Sequence, residues 1–459
     1  MADDGDAHRR RAYDLPVLRR PLRVRFGLRR PTRPDPVHLG IGLALGVAVA
    51  VRWVATWHWY RTLPLGPTDN FFYHQQANLL AEGRGFVNPF AWLSGELVPT
   101  AAHPPLYSLY LAAWSLVGVD TPLGHRLVSG LVSAAAVIPV ALLARRLAGD
   151  RAALVAAFAA AVTPALWLND GLILSESLYV TLAALALWQA HRVADDPGTG
   201  SVLVLSAILA AGALTRSEAL LAYPVLLVPL VLTRPHLSWR DRLVRVGAAA
   251  LVALVLLAPW VVRNLTTFDE PTFLAVGPGY VLEFANCDDT YGGPLLGYWS
   301  AACDASPWPD GDESVVGAHK LDIAVSYIGD HLADQPRVVA ARVGRLWGLY
   351  RPVQTADFDV FFERRPRLAV DVALWWHWAT LALAVVGAAL LRRRGITLIP
   401  SLAFVVIATW TAAITFGITR YRIGADVALV VLAAVALDHL LGRLPGPHAD
   451  DPSRAVTVP

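Results

Sequence analysis

Residues 68–107 contain Thr68-Asp69-Asn70-Phe71-Phe72-Tyr73, then Glu82-Gly83-Arg84-Gly85-Phe86, then Thr100-Ala101-Ala102-His103-Pro104-Pro105-Leu106-Tyr107. Long apolar runs flank this stretch. An aspartate, several aromatic rings and a His-Pro-Pro turn are therefore expected just outside a membrane. Ionisable groups at a bilayer surface, beside helices able to hold a lipid, point to chemistry on a lipid-linked substrate.

The rest of the chain supplies the membrane. Of 459 residues 55% are hydrophobic and only 16% charged, with mean hydropathy +0.46. Soluble domains are closer to a quarter charged, and several runs reach the ~20 apolar residues that cross a ~30 Å hydrocarbon core. The fold class expected is an all-α polytopic membrane protein. Ten spans are read at about 38–57, 121–144, 151–168, 174–191, 200–215, 217–233, 246–263, 369–391, 396–416 and 421–441. The segment Pro105–Val119 is apolar but short, and reads as an interfacial or re-entrant helix.

Loop charge orients these spans. Alternate turns carry Arg145, Arg146 and Arg151; Arg192; Arg234, Arg240, Arg242 and Arg245; and Arg392, Arg393 and Arg394. Placing those turns in the cytoplasm satisfies the positive-inside bias and puts both termini there. Residues 1–37 carry ten arginines and no apolar run, so they read as a basic disordered cytoplasmic arm rather than a cleavable signal peptide. The division expected is a bundle over 38–263 with a first external loop at 58–120, an external loop over 264–368, further spans over 369–441 and a cytoplasmic tail over 442–459.

Cys287 and Cys303 are the only cysteines, and both fall in the long external loop, so a disulfide is expected. Two thiols and no paired histidines give little basis for a metal site. In the second half of that loop, Asp334 is placed to cap a helix, Pro336 suits its first turn, and Val339, Val343, Leu346, Trp347 and Tyr350 recur at helical spacing. With Arg337, Arg342 and Arg345 it reads as an amphipathic helix on the outer surface. Asp357, Asp359 and Glu363 read as solvated. A nucleic-acid role has no support, because the basic residues lie in membrane-flanking turns rather than on one face.

Six residues are candidates for chemistry. Asp69 precedes an aromatic helix, where it can cap free N–H groups or, at the mouth of an apolar bundle, take a proton from a hydroxyl. Glu176 opens a span within Leu174-Ser175-Glu176-Ser177, just after Asn169 and Asp170. Charged groups at such positions are costly and usually functional; the alternative is a partner for the helix dipole. Arg216, in Leu214-Thr215-Arg216-Ser217-Glu218, and Arg420 and Arg422, in Thr419-Arg420-Tyr421-Arg422, lie on the outer side against the topological bias. A guanidinium fork there suits phosphate, although Arg216 could instead pair with Glu218 or Glu176. His103 could bind a phosphate, relay protons or simply satisfy its turn.

Taken in order, the Asp in its aromatic segment, Gly-x-Gly-Phe, Thr-Ala-x-His-Pro-Pro-Leu-Tyr, Ser-Glu-x-Leu, Leu-Thr-Arg-x-Glu and Arg-Tyr-Arg resemble the C-type (GT-C) membrane glycosyltransferases. The nearest branch holds the dolichyl-phosphate-mannose protein mannosyltransferases and the lipid A aminoarabinose transferases. The resemblance covers about residues 38–441. It implies a GT-C-like bundle of about ten transmembrane helices, with interfacial helices in the first external loop. It also implies a polyprenyl-phosphate sugar donor, transfer on the outer face and inversion at the anomeric carbon. The catalytic carboxylate maps onto Asp69, the second acid onto Glu176, and the donor phosphate onto Arg216 and Arg420 with His103 and Arg422 beside them. Two positions depart from the family: Asn70 follows Asp69 where the protein mannosyltransferases commonly have Glu, and His103 stands where the aminoarabinose transferases have lysine. The acceptor class and any metal dependence therefore do not carry over, and a divalent cation is left open.

The reading is of a plasma-membrane (inner-membrane) glycosyltransferase whose partners are a polyprenyl-phosphate sugar, membrane lipid and an extracytoplasmic protein, lipid or polysaccharide acceptor. The alternative is a transporter or flippase of a lipid-linked glycan. That would call for two related halves, and no internal echo is visible.

Overall fold

The computed structural model describes residues 35–442. The tail expected over 442–459 lies outside the described residues from 443 onward, as does the basic arm up to residue 34. Among those described there is no strand, only an isolated bridge between Val87 and Pro99. The protein is a helical membrane protein. Five helices are long and apolar enough to cross a membrane: Pro36–Tyr60, Pro122–Ala148, Trp239–Thr267, Arg367–Arg393 and Thr419–Leu441. A sixth is reached if Asp150–Val162 and Pro164–Leu172, bent by 69°, form one broken span. The other expected spans are helical but shorter or less apolar, at Glu176–Asp195, Thr199–Ala213, Ser217–Leu232 and Ile399–Ile414.

Burial separates the inner helices from the outer ones. Ile423–Leu441 is apolar apart from Asp426, Asp438 and His439, and its most apolar stretch is 78% buried, so it is the central post. Trp239–Thr267 is 11% buried and Arg367–Arg393 22%, and they present their remaining apolar surface outward. The alanines of Asp150–Val162 and the glycine at 387 let backbones approach closely, as membrane bundles require. A Cβ on Gly387 would lie 1.9 Å from the Leu432 carbonyl oxygen of the central post.

The bend after Val162 sets the approach of the chain to Glu176. Pro164 cannot continue the helix, and the chain passes through two short 3₁₀ turns before Glu176. A buried ion pair fixes this broken segment: Arg52 Nε lies 3.2 Å from Asp170 Oδ2 and donates to Ser133 Oγ at 2.7 Å. Ile173 then takes a left-handed backbone (φ 54°), a strained conformation for a β-branched residue, and it is fully buried. Tight surroundings hold it there and aim Glu176 inward.

The segment between the first two spanning helices folds as helices Asp69–Ala81, Pro89–Leu93 and Leu106–Ser115. Leu106–Ser115, ten residues long, packs against Asp69–Ala81. The segment from Phe268 to Pro366 is also largely helical. Cys287 and Cys303 are joined by a disulfide within it. Lys320, the single lysine of the chain, is buried and donates to Glu283 at 2.6 Å and to Asp304. The helix expected near Pro336 is present as Gln335–Leu346, but two of its features differ from expectation. Asp334 makes no cap, and its carboxylate pairs with Arg337 instead. Nor does the helix lie on the surface: Arg342 and Arg345 are 2% and 0% exposed and spend their donors on carbonyls such as Ala285 and Leu296. A long apolar stem lets arginine occupy such a position when backbone oxygens receive its head.

Candidate active site

Asp69 occupies the first position of its helix, after Thr68, and neither side chain makes the capping bond that the sequence invites. The Asp69 carboxylate faces across the fold instead. Its Oδ2 accepts from Arg420 Nη2 at 3.0 Å, and its Oδ1 lies 3.6 Å from His103 Nε2. The His103 ring is wedged against Phe72 and Tyr73 of the Asp69 helix, with centroids 4.8 Å away in both cases.

Groups distant in sequence hold the turn that carries His103. Thr100 Oγ1 donates to Glu313 at 2.8 Å, and the Ala101 N–H donates to the same carboxylate. From the other side Arg263 donates to the carbonyls of Thr100 at 2.9 Å and Phe86 at 3.2 Å. Burial pushes the Glu313 carboxyl up from its ordinary value, against those hydrogen bonds.

Arg420 is the hub. Its Nε reaches Glu176 Oε1 at 2.7 Å, Nη1 reaches Glu363 Oε2 at 3.3 Å, and Nη2 reaches Asp69. Glu176 Oε1 also receives Arg216 Nη1 at 2.7 Å, while Arg216 Nε binds Glu218 at 2.5 Å. Both pairings open to Arg216 are thus made. Glu176 is fully buried, and its second oxygen, Oε2, has no partner. Four carboxylates therefore surround two guanidinium groups, and every charge but that of Asp69 is largely shielded from water.

This arrangement sets the ionisation of Asp69. Burial disfavours its charged form, but the neighbouring Arg420 charge and hydrogen bond outweigh that, and the carboxyl titrates below its ordinary range. Protonated His103 would act in the same direction. Burial, however, pushes the His103 imidazole below its ordinary value, so at neutral pH it is uncharged and Arg420 is what holds Asp69.

The structure thus brings Asp69, His103, Glu176, Arg216 and Arg420 to one place. Arg422 does not join them. One residue beyond Tyr421 on the Thr419–Arg422 turn, it points the other way, to Asp426 at 2.9 Å and the Leu346 carbonyl at 2.7 Å. The 3₁₀ turn puts Arg420 and Arg422 on different sides, so Arg422 stands apart from the other residues expected at the donor phosphate. Glu363 and Asp359, read as solvated, are corrected: the side chain of Glu363 is 13% exposed, with Arg420 beside it, and that of Asp359 is 5% exposed. The sequence signal for them was the dense alternation of acids and aromatics in Asp357-Phe358-Asp359-Val360-Phe361-Phe362-Glu363 just ahead of a span. Among the described residues no group of three or more His, Cys, Asp or Glu side chains is arranged to hold a metal ion. The carboxylates that converge here face guanidinium groups.

A family model of dolichyl-phosphate-mannose-protein mannosyltransferase matches residues 102–262. No curated protein matches the chain in sequence. Among solved structures, the Archaeoglobus fulgidus oligosaccharyltransferase tethered to an acceptor peptide aligns with a TM-score of 0.54 at 14% identity, over 89% of this chain and 50% of that one. The AglB oligosaccharyltransferase of the same organism, in complex with an inhibitory peptide and a dolichol-phosphate, aligns with a TM-score of 0.52 at 13% identity, over 88% and 50%. ArnT from Cupriavidus metallidurans bound to undecaprenyl phosphate aligns with a TM-score of 0.40 at 17% identity, over 89% and 79%. The chain spans about half the length of the oligosaccharyltransferases it matches. In fold over most of its length, and in sequence over residues 102–262, the chain resembles the C-type membrane glycosyltransferases.

Proposed function

We propose that the protein moves a sugar from a polyprenyl-phosphate donor to a hydroxyl-bearing acceptor on the extracytoplasmic face of the plasma membrane, with both termini inside. The observation that carries this reading is the convergence of Asp69 with Arg420, Arg216 and Glu176 at one end of an apolar bundle. The fold likeness to a protein solved with a dolichol-phosphate supports it.

The resting cluster sets the order of events. Four carboxylates against two guanidinium groups repel an incoming phosphate until it takes an arginine from one of them. Asp69 is the most exposed of the four partners, at 36%, and gives up Arg420 most readily. Once the donor phosphate holds Arg420, Asp69 loses the charge that depressed its pKa and becomes a stronger base. It then accepts the proton of the acceptor hydroxyl. The hydroxyl oxygen bonds to the anomeric carbon as the bond from that carbon to the phosphate oxygen breaks, with inversion, and polyprenyl phosphate departs. Arg420 and Arg216 stabilise the charge that grows on the leaving phosphate. Glu176, fixed in place by its burial, orients both arginines. No step is assigned to a metal ion.

The test offers a panel of polyprenyl-phosphate sugars to the protein in lipid nanodiscs, with and without a cell-envelope acceptor extract, and follows free polyprenyl phosphate by mass spectrometry. Release by wild type, reduced ~10²–10⁴-fold in Asp69→Asn, is expected of a lost general base. More than about a tenth of the activity remaining in the variant would refute the role of Asp69, on the same scale. Intact donors that merely change leaflet faster would favour a transporter.

A further inference from the structure

The Thr419–Arg422 turn has a second side, formed by Arg422. Behind it lies a recess of ≈ 620 Å³, open mouth included, between the broken segment at Ala165–Asn169, the helix Pro352–Phe361 and the first turns of Arg367–Arg393. Three arginines line it, Arg345, Arg365 and Arg422, with Asp359 as the one lining carboxylate. Asp359 balances Arg365 at 3.1 Å, and Asp426, which is not part of the lining, balances Arg422 at 2.9 Å. Arg345 has no carboxylate partner among the described residues. It donates to the carbonyls of Leu296 at 2.7 Å and Pro294 at 2.8 Å, to Gln354 Oε1 at 2.8 Å and to the Thr355 hydroxyl at 3.0 Å. Burial pushes Arg345 down to about 10, so it stays charged at neutral pH. The two ion pairs cancel, and Arg345 leaves the walls one positive charge in excess.

Buried charges are seldom left without a counter-charge, so an excess beside an opening describes an anion as the ligand that would balance it. One donor is free to hold that anion. Arg422 spends Nε on Asp426 and Nη1 on the Leu346 carbonyl, whereas its Nη2 has no partner among the described residues. Unlike Arg365 Nε and Asp359 Oδ1, this nitrogen is not sealed from water. The surroundings indicate what carries the anion. The lining residues Gly348, Pro352 and Leu374 are followed in the chain by Leu349, Val353 and Trp375, all three exposed. Such apolar surface suits acyl chains, and basic pockets between membrane helices take lipid headgroups. We propose that this recess is an anion site for the headgroup phosphate of a membrane lipid, distinct from the Asp69 chamber. Arg422 Nη2 donates to a phosphate oxygen, and the phosphate balances the charge of Arg345. A free phosphate shares this chemistry, but it would leave the apolar flanks unused. The inference does not rest on the glycosyl-transfer reading.

Native mass spectrometry of the full chain in detergent, titrated with phosphatidylglycerol, tests the site without turnover. Wild type should retain one phosphatidylglycerol more tightly than phosphatidylcholine, whose choline cancels the phosphate charge. Ala373 lines the recess, and Ala373→Asp sets a carboxylate inside it. That variant should weaken retention by roughly tenfold or more, the loss expected when charge-assisted hydrogen bonds to the phosphate are given up. Arg422→Gln removes the open donor and should act in the same direction. Ala373→Asp leaves every arginine in place, so it decides the matter should Arg422→Gln fold poorly. Excess inorganic phosphate separates the sources: a lipid held by its chains as well as its headgroup survives, whereas displacement would overturn the lipid and leave a free-anion site. Retention should also persist under saturating polyprenyl phosphate; displacement there would return the phospholipid to the Asp69 chamber and overturn a separate site. Equal retention of the two phospholipids by wild type, or retention unchanged in both variants, would overturn the proposal outright.

Discussion

The Asp69 chamber and the buried Asp359–Arg365 pair both meet the Thr419–Arg422 turn, yet they handle charge in opposite ways. In the chamber Arg420 alone meets three carboxylates and Arg216 two, so the guanidinium donors are taken up internally. Behind the turn Arg365 meets the single carboxylate of Asp359, and one polar atom of each is buried without a partner. An anion can enter the first only by exchange, displacing a carboxylate.

The largest effect expected is on the buried Asp359–Arg365 pair. Asp359→Asn alone leaves Arg365 as a buried charge without its partner, and such losses amount to ~3–5 kcal/mol. The apolar double replacement Asp359→Leu with Arg365→Met should recover most of it, because replacing a whole buried pair is often close to neutral. Thermal unfolding in nanodiscs checks both. Equal stability of the single and double variants would mean the pair is open to water, and the contrast with the chamber would fail.

Next comes Arg420→Gln, which should lower polyprenyl phosphate release by ~10²–10³, equivalent to ~2.7–4 kcal/mol of transition-state stabilisation. Arg422→Gln, two residues along the same turn, should leave release within about tenfold of wild type. Its burden falls on folding, since Asp426 loses its buried partner. Similar losses of release in both would refute the division of the turn into two sides.

Away from both sites, the disulfide closes a short loop, Cys287 to Cys303 being 16 residues apart. Replacing both with serine should lower stability by ~3 kcal/mol by the loop-closure argument. Because Asn286, next to Cys287, receives Arg342 at 3.0 Å, the loss should also loosen the Gln335–Leu346 helix. Hydrogen exchange over Ala285–Leu346 would measure it.

The bundle is legible in the sequence because apolar run length is a local signal. Each expected span is a helical segment, although only five qualify as crossings by length and composition. Within the chamber, Asp69, Glu176, Arg216 and Arg420 can be picked out because charge beside an apolar run is rare enough to stand out. Direction is what spacing does not reveal. Spacing assigns Arg342, Arg345 and Arg422 to a surface or a phosphate, but each turns inward to backbone oxygens or to Asp426. Those acceptors lie tens of residues away, or across a 3₁₀ turn that periodicity does not show. Asp359 and Glu363 are misread for a related reason. Their shielding comes with partners about sixty residues along the chain, Arg420 for Glu363 and Thr419 for Asp359, which spacing does not show.

The smallest effect expected tests whether His103 belongs to the chamber's charge balance. Burial lowers its pKa below 6.5, with Arg420 and Arg216 acting in the same direction and Asp69 and Glu176 opposing. The unfolded chain therefore binds a proton at His103 from about pH 6.5 downward, while the folded chain binds it only at lower pH. Between those two points the unfolded state holds more protons, so His103 makes no difference above pH 6.5 and erodes stability as pH falls below it. His103→Gln should remove that erosion, flattening the stability profile by at most ~1.4 kcal/mol per pH unit in that window and changing nothing at pH 7.5. Asp69 gives the opposite check: its lowered pKa keeps the Arg420 pair intact until pH drops below the ordinary carboxylate range, so the slope removed with His103 is not one that Asp69 supplies. A variant as pH-sensitive as wild type between pH 5 and 6.5 would show that His103 carries its charge in the folded state. Arg420 would then share with it the task of holding Asp69, and the chamber would be less negative than its carboxylates imply.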